Sequence, residues 1–367
     1  MTPLAALIGR QIAATGPLTV ADYMSLCLTH PTHGYYAARE PFGHAGDFVT
    51  APEVSQMFGE LIGLWAAAVW QEMGRPARLR LIELGPGRGT LMADLLRAAR
   101  GVPGFADALE VHLVENSRRL RDLQAERLGQ GPVWHDGLET IPPGPAIIVA
   151  NEFFDALPVR QFVWTDAGWC ERLVACDEDG ALRFALAAGP SPLASALPTV
   201  VREGAPEGAV AELCPAGIAI VGELGRRLSE DGGAALIVDY GHTASAAGDT
   251  LQAVRAHAYA PVLEAPGEAD LTAHVDFARL AVAASDSGAR AWPPLTQSAF
   301  LQALGIGLRA RDLSRNATAS QARDIAAGLE RLIGPEQMGT LFKVLALSSP
   351  QLGSLPGFPP EPAWPNI

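Results

Sequence analysis

The chain has 367 residues, 49% hydrophobic and 18% charged, a balance that builds a large ordered core and excludes a disordered chain. A formal charge of −13 disfavours nonspecific binding to nucleic acid, whose phosphates it would repel. Four cysteines (Cys27, Cys170, Cys176 and Cys214) without C-x-x-C spacing read as reduced thiols, and no apolar run approaches the ~18 residues of a membrane span, so a soluble protein of the bacterial cytoplasm is expected.

Residues 1 to about 30 carry two helical patterns, split at Gly16-Pro17, with Thr19 as the second cap. The segment HPTHGYYAAREPFGHAGDFVTAPEVSQMFGE follows, dense in Gly, Pro and aromatics but without periodicity, as in an ordered functional loop. Its histidines lack an accompanying ligand pattern, and no metal is expected. One long helix is expected from Pro52 to Met73. Leu79–Leu84 then reads as a buried parallel strand, Gly85, Gly87 and Gly89 as a tight turn, and Leu91–Arg100 as an amphipathic helix.

That turn separates three readings. A dinucleotide fold wants G-x-G-x-x-G, whereas E-x-G-x-G-x-G puts a carboxylate, Glu83, where a pyrophosphate would be repelled. S-adenosyl-L-methionine has no phosphate and carries a sulfonium and an ammonium, so an acid at the strand end suits it better. A tight turn without any ligand is the third reading, and three alternate glycines cost it backbone entropy. Pro86 and Thr90 belong to the same turn.

Farther along, Leu109–Val114 is a strand ending at Glu115, an acid suited to both ribose hydroxyls, with Asn116 behind it. Val133–Gly137 is a third strand, whose Asp136 and Gly137 suit an adenine edge. Pro145–Ala150 is a fourth, running into Asn151-Glu152-Phe153-Phe154-Asp155, where a methyl acceptor would meet the donor in a doubly wound fold. Alternation at Val159–Trp164, Trp169–Ala175 and Leu182–Leu186 marks an antiparallel meander, followed by a loop over residues 189–208. A helix over Ala216–Ser229 and a strand over Ala234–Val238 lead to Tyr240. An extended stretch over Leu251–Ala260 precedes a helix starting at Asp270 or Thr272, whose His274 and Asp276 form a second wall. A strand near Ala289–Pro293, helices over Thr296–Leu304 and Thr318–Leu332, and a strand over Phe342–Ser348 complete an α/β pattern. The chain so divides into an N-terminal helical region with a loop (1–52), core (53–158), inserted meander (159–215), core (216–250), a substrate-covering segment (251–288), and core with a tail (289–367).

The stretches REPFGHAGDFVTAPEVSQMFGE, ELGPGRGTLMADLLR, LVENS, NEFFDALPVRQF, LIVDYG, TLQAVRAH and PGEADLTAHVDF resemble the MidA-like methyltransferases, a family with a mitochondrial complex I assembly protein-arginine methyltransferase among its members. The resemblance implies a Rossmann-like class I α/β fold with a seven-stranded, mostly parallel sheet whose last strand is antiparallel, an inserted antiparallel β/helical substrate region, and S-adenosyl-L-methionine as donor without a metal. Carried over by position, Gly85, Gly87 and Gly89 form the donor loop, Glu115 takes the ribose, and Asn151, Glu152 and Asp155 stand in the acceptor loop; Glu83, Pro86, Thr90, Asn116, Asp136, Gly137 and Asn151 complete the expected donor site. Asn151, Glu152 and Asp155 stand as the catalytic group. Asp47, Phe48, Thr50, Glu53, Phe153, Phe154, Tyr240, His274 and Asp276 surround the acceptor. The implied acceptor is an arginine in a protein, with a complex I catalytic-arm subunit as partner and a homodimer left open. Carboxylates can bind a guanidinium bidentately and localise its charge away from the attacking nitrogen. Two other readings stay open: a methyltransferase for a small molecule or another residue, and a donor-binding assembly factor without activity.

Overall fold

The computed structural model describes residues 2–38 and 49–359. Their described parts fall into two compact units. The first comprises Met1–Phe48, Asp155–Ala219 and Ala244–Arg279, and the second Val49–Phe154, Ile220–Thr243 and Leu280–Ile367.

The second unit is built on a mixed sheet. Its strands are β1 (Leu79–Leu84), β2 (Leu109–Val114), β3 (Val133–His135), β4 (Ala146–Asn151), β5 (Gly233–His242), β6 (Arg290–Ala291), β7 (Leu295–Thr296) and β8 (Phe342–Ser348). The order is β6-β8-β5-β4-β1-β2-β3, with β7 also paired to β8. From β3 to β5 all neighbours are parallel. β8 runs antiparallel to β5, in register from Ala234–Ser348 to Tyr240–Phe342. The chain builds outward from β1 to β3 and then returns to place β4 on the other side of β1, so the order reverses between β1 and β4. Ligands of open α/β sheets bind at such a reversal.

The expected seven-strand sheet needs correction at this sheet's far edge. β6 pairs with Leu347 and Ser348, and β7 with Val344 and Lys343, both along one side of β8. Between them lie Trp292, Pro293 and Pro294; proline has no N–H for the ladder, so the edge strand is cut in two. Buried strand and helix faces share one apolar core that includes Phe58, Ile62, Trp65, Leu81, Leu95, Leu113, Ile147, Leu236 and Leu345's neighbour Val344.

The first unit holds a sheet in the order Leu18–Thr19, Gly168–Cys176, Arg160–Thr165, Val210–Leu213, with Leu182–Pro190 also paired to Gly168–Cys176. A separate three-stranded sheet joins Ala258–Ala260, Gln252–Arg255 and Asp270–Thr272. The N-terminal helices Pro3–Thr15 and Val20–Thr29 contribute Leu4, Ile8, Tyr23 and Met24 to its core. Thr19 caps the second helix as expected, accepting from the Asp22 amide at 3.0 Å.

Several elements depart from the sequence reading. The long helix is two, Ala51–Val54 and Gln56–Glu72, because Ser55 is extended and its hydroxyl accepts from Met57 N instead. Asp270–Thr272 is a strand paired with residues 252–254, and the helix begins at Phe277, where the Asp276 carboxylate takes the Arg279 amide at 3.0 Å. The 189–208 segment contains helical turns at Pro192–Ala196 and Thr199–Arg202, whose Ala194, Leu197 and Val201 are buried with Phe162 and Trp169. Strand Val210–Leu213 and helix Ile306–Ser314 are further elements that the sequence pattern does not predict.

Two buried histidines face each other across β2 and β3. His112 Nδ1 lies 2.9 Å from His135 Nε2, and His135 Nδ1 lies 2.8 Å from Thr140 Oγ1. Burial, followed by His135 for the first and Arg121 for the second, holds both rings below their ordinary value of 6.5. The unfolded chain therefore binds protons first as pH falls, so this pair's stabilisation is complete above about pH 6.5 and is lost as pH drops toward the folded values. The thermal midpoint is expected to fall between pH 7 and pH 5, and His135→Gln should flatten part of that slope in calorimetry.

Candidate active site

β1 ends at Glu83-Leu84 and passes into the glycine turn. Gly85, Gly87 and Gly89 have φ of +62°, +53° and +75°, a region that strains any residue with a Cβ. Gly85 N donates to Val114 O at 3.0 Å, tying the turn to the end of β2, and Gly89 N donates to Pro86 O at 2.7 Å. The helix Thr90–Ala99 starts directly after Gly89. A Cβ on Gly85 would stand 2.7 Å from Phe153 Cδ2, so the turn packs backbone-first against the loop leaving β4. The glycine turn and the Asn151–Phe154 loop thus meet at the β1/β4 reversal.

Gln124, from the helix Arg118–Leu128, is fully buried and secures the glycine turn. Its Nε2 donates to Gly87 O at 2.8 Å and to Glu115 Oε2 at 3.3 Å, while its Oε1 accepts from Trp134 Nε1 at 2.8 Å. One amide so links the glycine turn, the expected ribose acid and β3. Sequence reading missed it, since a glutamine on a polar helix carries no motif. Glu115 Oε1 also accepts from Ser117 N at 2.8 Å, and Arg121 donates to Glu115 O and to Asp136 Oδ1, at 2.6 and 2.5 Å. Asp136 is mostly exposed. Gly137 is extended, and a Cβ there would meet the Glu139 carboxylate at 2.3 Å.

The loop after β4 is held by a second carboxylate that the sequence did not single out. Asp239 on β5 is completely buried; its Oδ2 accepts from Phe153 N at 3.1 Å and Phe154 N at 2.9 Å, and its Oδ1 from Tyr240 N at 3.0 Å. Glu152 N donates to Val238 O at 2.9 Å. These bonds hold Glu152 at φ +51°, a conformation that costs a non-glycine residue about 1 kcal/mol. The Glu152 carboxylate reaches back through Oε1 to Ala51 N at 2.9 Å and Asn151 Nδ2 at 3.1 Å. It therefore caps the Ala51–Val54 helix, for which Thr50 supplies no side-chain bond. Glu53 of that helix accepts from Thr90 Oγ1 at 2.5 Å, fastening it to the first residue after the glycine turn. Phe153 and Phe154 pack edge-on at 5.4 Å, and Tyr240 packs on Phe342 at 5.5 Å.

Glu83 is only 3% exposed, and burial, with Glu115 adding to it, pushes its carboxyl up to about 8. Burial likewise raises Glu115. Glu83 Oε2 and Asn151 Oδ1 are buried without a hydrogen-bond partner. An unsatisfied buried polar atom costs on the order of 1–3 kcal/mol, and these two oxygens stand at the carboxyl ends of β1 and β4, beside the sheet's reversal point. Their chemistry, acceptors beside buried acids, fits the cationic methionine part of S-adenosyl-L-methionine. Among the described residues no group of His, Cys, Asp and Glu could hold a metal ion.

Asp155, His274 and Asp276 belong to the first unit. Asp155 is buried and its carbonyl accepts from Ala273 N at 2.9 Å; His274 N donates to Thr250 Oγ1 at 2.9 Å. Thr250 in turn is held by Glu212, which also accepts from Gln161 Nε2 at 2.7 Å. Tyr36 OH sits 3.4 Å from Asp270 Oδ1, and its hydroxyl is held well above its ordinary range by burial, then by Asp270 and Asp155. The sequence pattern singles out neither Tyr36 nor Glu212, which bond to Asp270 and Thr250; the paired Tyr35-Tyr36 was the available signal for the first. Asp47 and Phe48 lie outside the described residues.

Comparison with known proteins gives this geometry a context. Residues 61–294 match the model of a family described as "Putative S-adenosyl-L-methionine-dependent methyltransferase". The mitochondrial protein arginine methyltransferase NDUFAF7 of Danio rerio is 40% identical over 93% of this chain and 85% of its own, and that of Homo sapiens 37% over 95% and 83%. A crystal structure from Burkholderia thailandensis, bound to S-adenosyl-homocysteine, superposes with a TM-score of 0.84 at 31% identity, covering 96% of this chain and 94% of that one.

Because the Asp239 carboxylate receives three amides, Asp239→Asn leaves an amide group facing N–H donors. It should lower unfolding free energy by about 2 kcal/mol in urea titration, with Tyr240→Phe, which keeps the backbone bond, close to wild type.

Proposed function

The chain belongs to this family of S-adenosyl-L-methionine-dependent methyltransferases, and on that premise we propose that it methylates an arginine of a protein. The observation that carries the reading is the acidic loop Asn151–Asp155, which follows β4 at the sheet's reversal point, together with relatives over 90% of the chain that are named protein arginine methyltransferases. When bound, the donor supplies an electrophilic methyl on a sulfonium.

The roles of the chain's own residues follow from their chemistry. Glu115, steadied by Gln124 and the Ser117 amide, accepts from the ribose hydroxyls, and Asp136 and Gly137 border the adenine. The backbone of Gly85, Gly87 and Gly89, with Pro86 and Thr90, lines the approach, and Asn116 follows the ribose acid. Glu83 and the Asn151 oxygen face the cationic end. Glu152 and Asp155 hold the guanidinium and keep its positive charge away from the attacking nitrogen. Phe153, Phe154 and Tyr240 supply apolar and cation–π surface, with Thr50, Glu53, His274, Asp276, Asp47 and Phe48 completing the acceptor side. Alignment of donor and acceptor in a site with little water provides the remaining acceleration. No helix among the described residues is long and apolar enough to cross a membrane. The acceptor protein we favour is a complex I catalytic-arm subunit.

Glu152→Gln should retain S-adenosyl-L-methionine binding within about threefold by calorimetry and lose at least about 100-fold in methyl transfer; unchanged transfer removes Glu152 from the catalytic group. Mass spectrometry of complex I catalytic-arm subunits from a deletion strain and its parent is expected to show an arginine methylated only in the parent. Methylation found instead on a small molecule or another residue type replaces the arginine reading, and donor binding without any methylated product favours an inactive assembly factor.

A further inference from the structure

We propose that Glu83 is a charge sensor for the donor, giving up a proton when the sulfonium form binds and taking one back once the methyl has left. The inference rests on the reading that Glu83 belongs to the donor site. Its basis is geometric. Glu83 lies within β1, in the middle of the sheet, with Leu113 of β2 and Val149 of β4 as its register partners, both apolar. Its carboxylate is nearly inaccessible, and Oε2 has no protein donor. The charged group acting on it is Glu115 beyond β2, itself an acid; the adjoining β4 ends in the neutral Asn151. Arg121, the nearest cation to Glu115 in the hydrogen-bond network, spends its guanidinium on Glu115 O and Asp136.

Two carboxylates in a region of low dielectric resist simultaneous ionisation. With Glu83 pushed up to about 8, a large share of the ligand-free protein carries a proton there at neutral pH. A sulfonium cation reverses the balance, because it compensates the second negative charge, and the carboxylic acid becomes a carboxylate with its proton released to solvent. In methyl transfer the S–CH3 bond breaks with its electron pair left on sulfur, an N–CH3 bond forms, and the acceptor nitrogen loses one proton. The thioether product is neutral, so Glu83 regains a proton and the site returns to its starting state; the net proton of the cycle is the acceptor's. Donor and product share the same α-amino and α-carboxyl groups; the sulfonium makes the donor's ammonium the more acidic, and comparison with Glu83→Gln, which leaves the ligands unchanged, separates that contribution from Glu83's own.

The sign follows directly. Donor binding releases a proton and is favoured as pH rises toward 8, whereas product binding is nearly independent of this group. Between pH 6 and pH 8 the ratio of donor to product affinity is expected to rise by up to about tenfold per pH unit.

Calorimetric titration of the full chain with S-adenosyl-L-methionine and with S-adenosyl-homocysteine, at pH 7 in buffers of different ionisation enthalpy, counts these protons. The expected result is that the donor releases at least half a proton more than the product. Glu83→Gln, a neutral isostere, should abolish that difference, keep product affinity within about threefold and weaken donor binding more than tenfold. Equal proton release by the two ligands in the wild type, or an unchanged difference in the variant, overturns the proposal. If the variant does not fold, the wild-type affinity ratio against pH decides, and a flat ratio overturns it. Should neither Glu83→Gln nor Glu115→Gln alter binding of either ligand, the donor-site reading itself fails; altered binding with no proton difference removes only the sensor.

Discussion

The arrangement at the sheet's reversal point depends on the Asp239 carboxylate. Buried at the end of β5, it accepts the amides of Phe153, Phe154 and Tyr240 and so sets the path of the chain as it leaves β4. That path forces Glu152 into a left-handed conformation and brings Phe153 against Gly85, at a distance only a glycine tolerates. The glycine turn and the acidic loop are therefore not separately placed features. They share one packing constraint, and the Glu152 carboxylate extends it to the amide of Ala51.

Electrostatically, the acids at the ends of β1 and β2 lack compensation. Glu83 and Glu115 are both raised by burial, and two side-chain oxygens, of Glu83 and Asn151, lack protein partners. A protein core does not normally keep such groups, because each unpaired polar atom subtracts from a net stability of only about 5–15 kcal/mol. In the proposed donor site, a ligand with a permanent positive charge would offset these acids. Glu60 in the same unit is compensated instead, meeting Arg97 and Arg309 at 3.1 and 2.8 Å.

Much of this was legible from residues alone. Strands β1 and β2 and the Phe342–Ser348 strand have the bounds that their apolar runs suggest, and Thr19 and Thr318 cap the helices they were expected to start. The failures share a cause. The break at Ser55, the strand at Asp270–Thr272 and the turns within 189–208 are decided by partners distant in sequence, which local periodicity cannot see. The split edge of the sheet is an exception, since its cause, Pro293-Pro294, is local, although one strand near Ala289–Pro293 was expected there.

What the sequence by itself determined is the order of α and β elements, the glycine turn and the placement of acids at strand ends, because these follow from side-chain period, backbone freedom and charge. Only the tertiary structure decided that Gln124 holds the glycine turn and Asp239 the loop after β4. Each is a single polar residue whose role exists only when strands far apart in the chain become neighbours and leave backbone groups that must find a partner. It also decided the state of Glu83, since a carboxylate's affinity for its proton depends on how completely the fold removes water and on which charge the fold brings beside it.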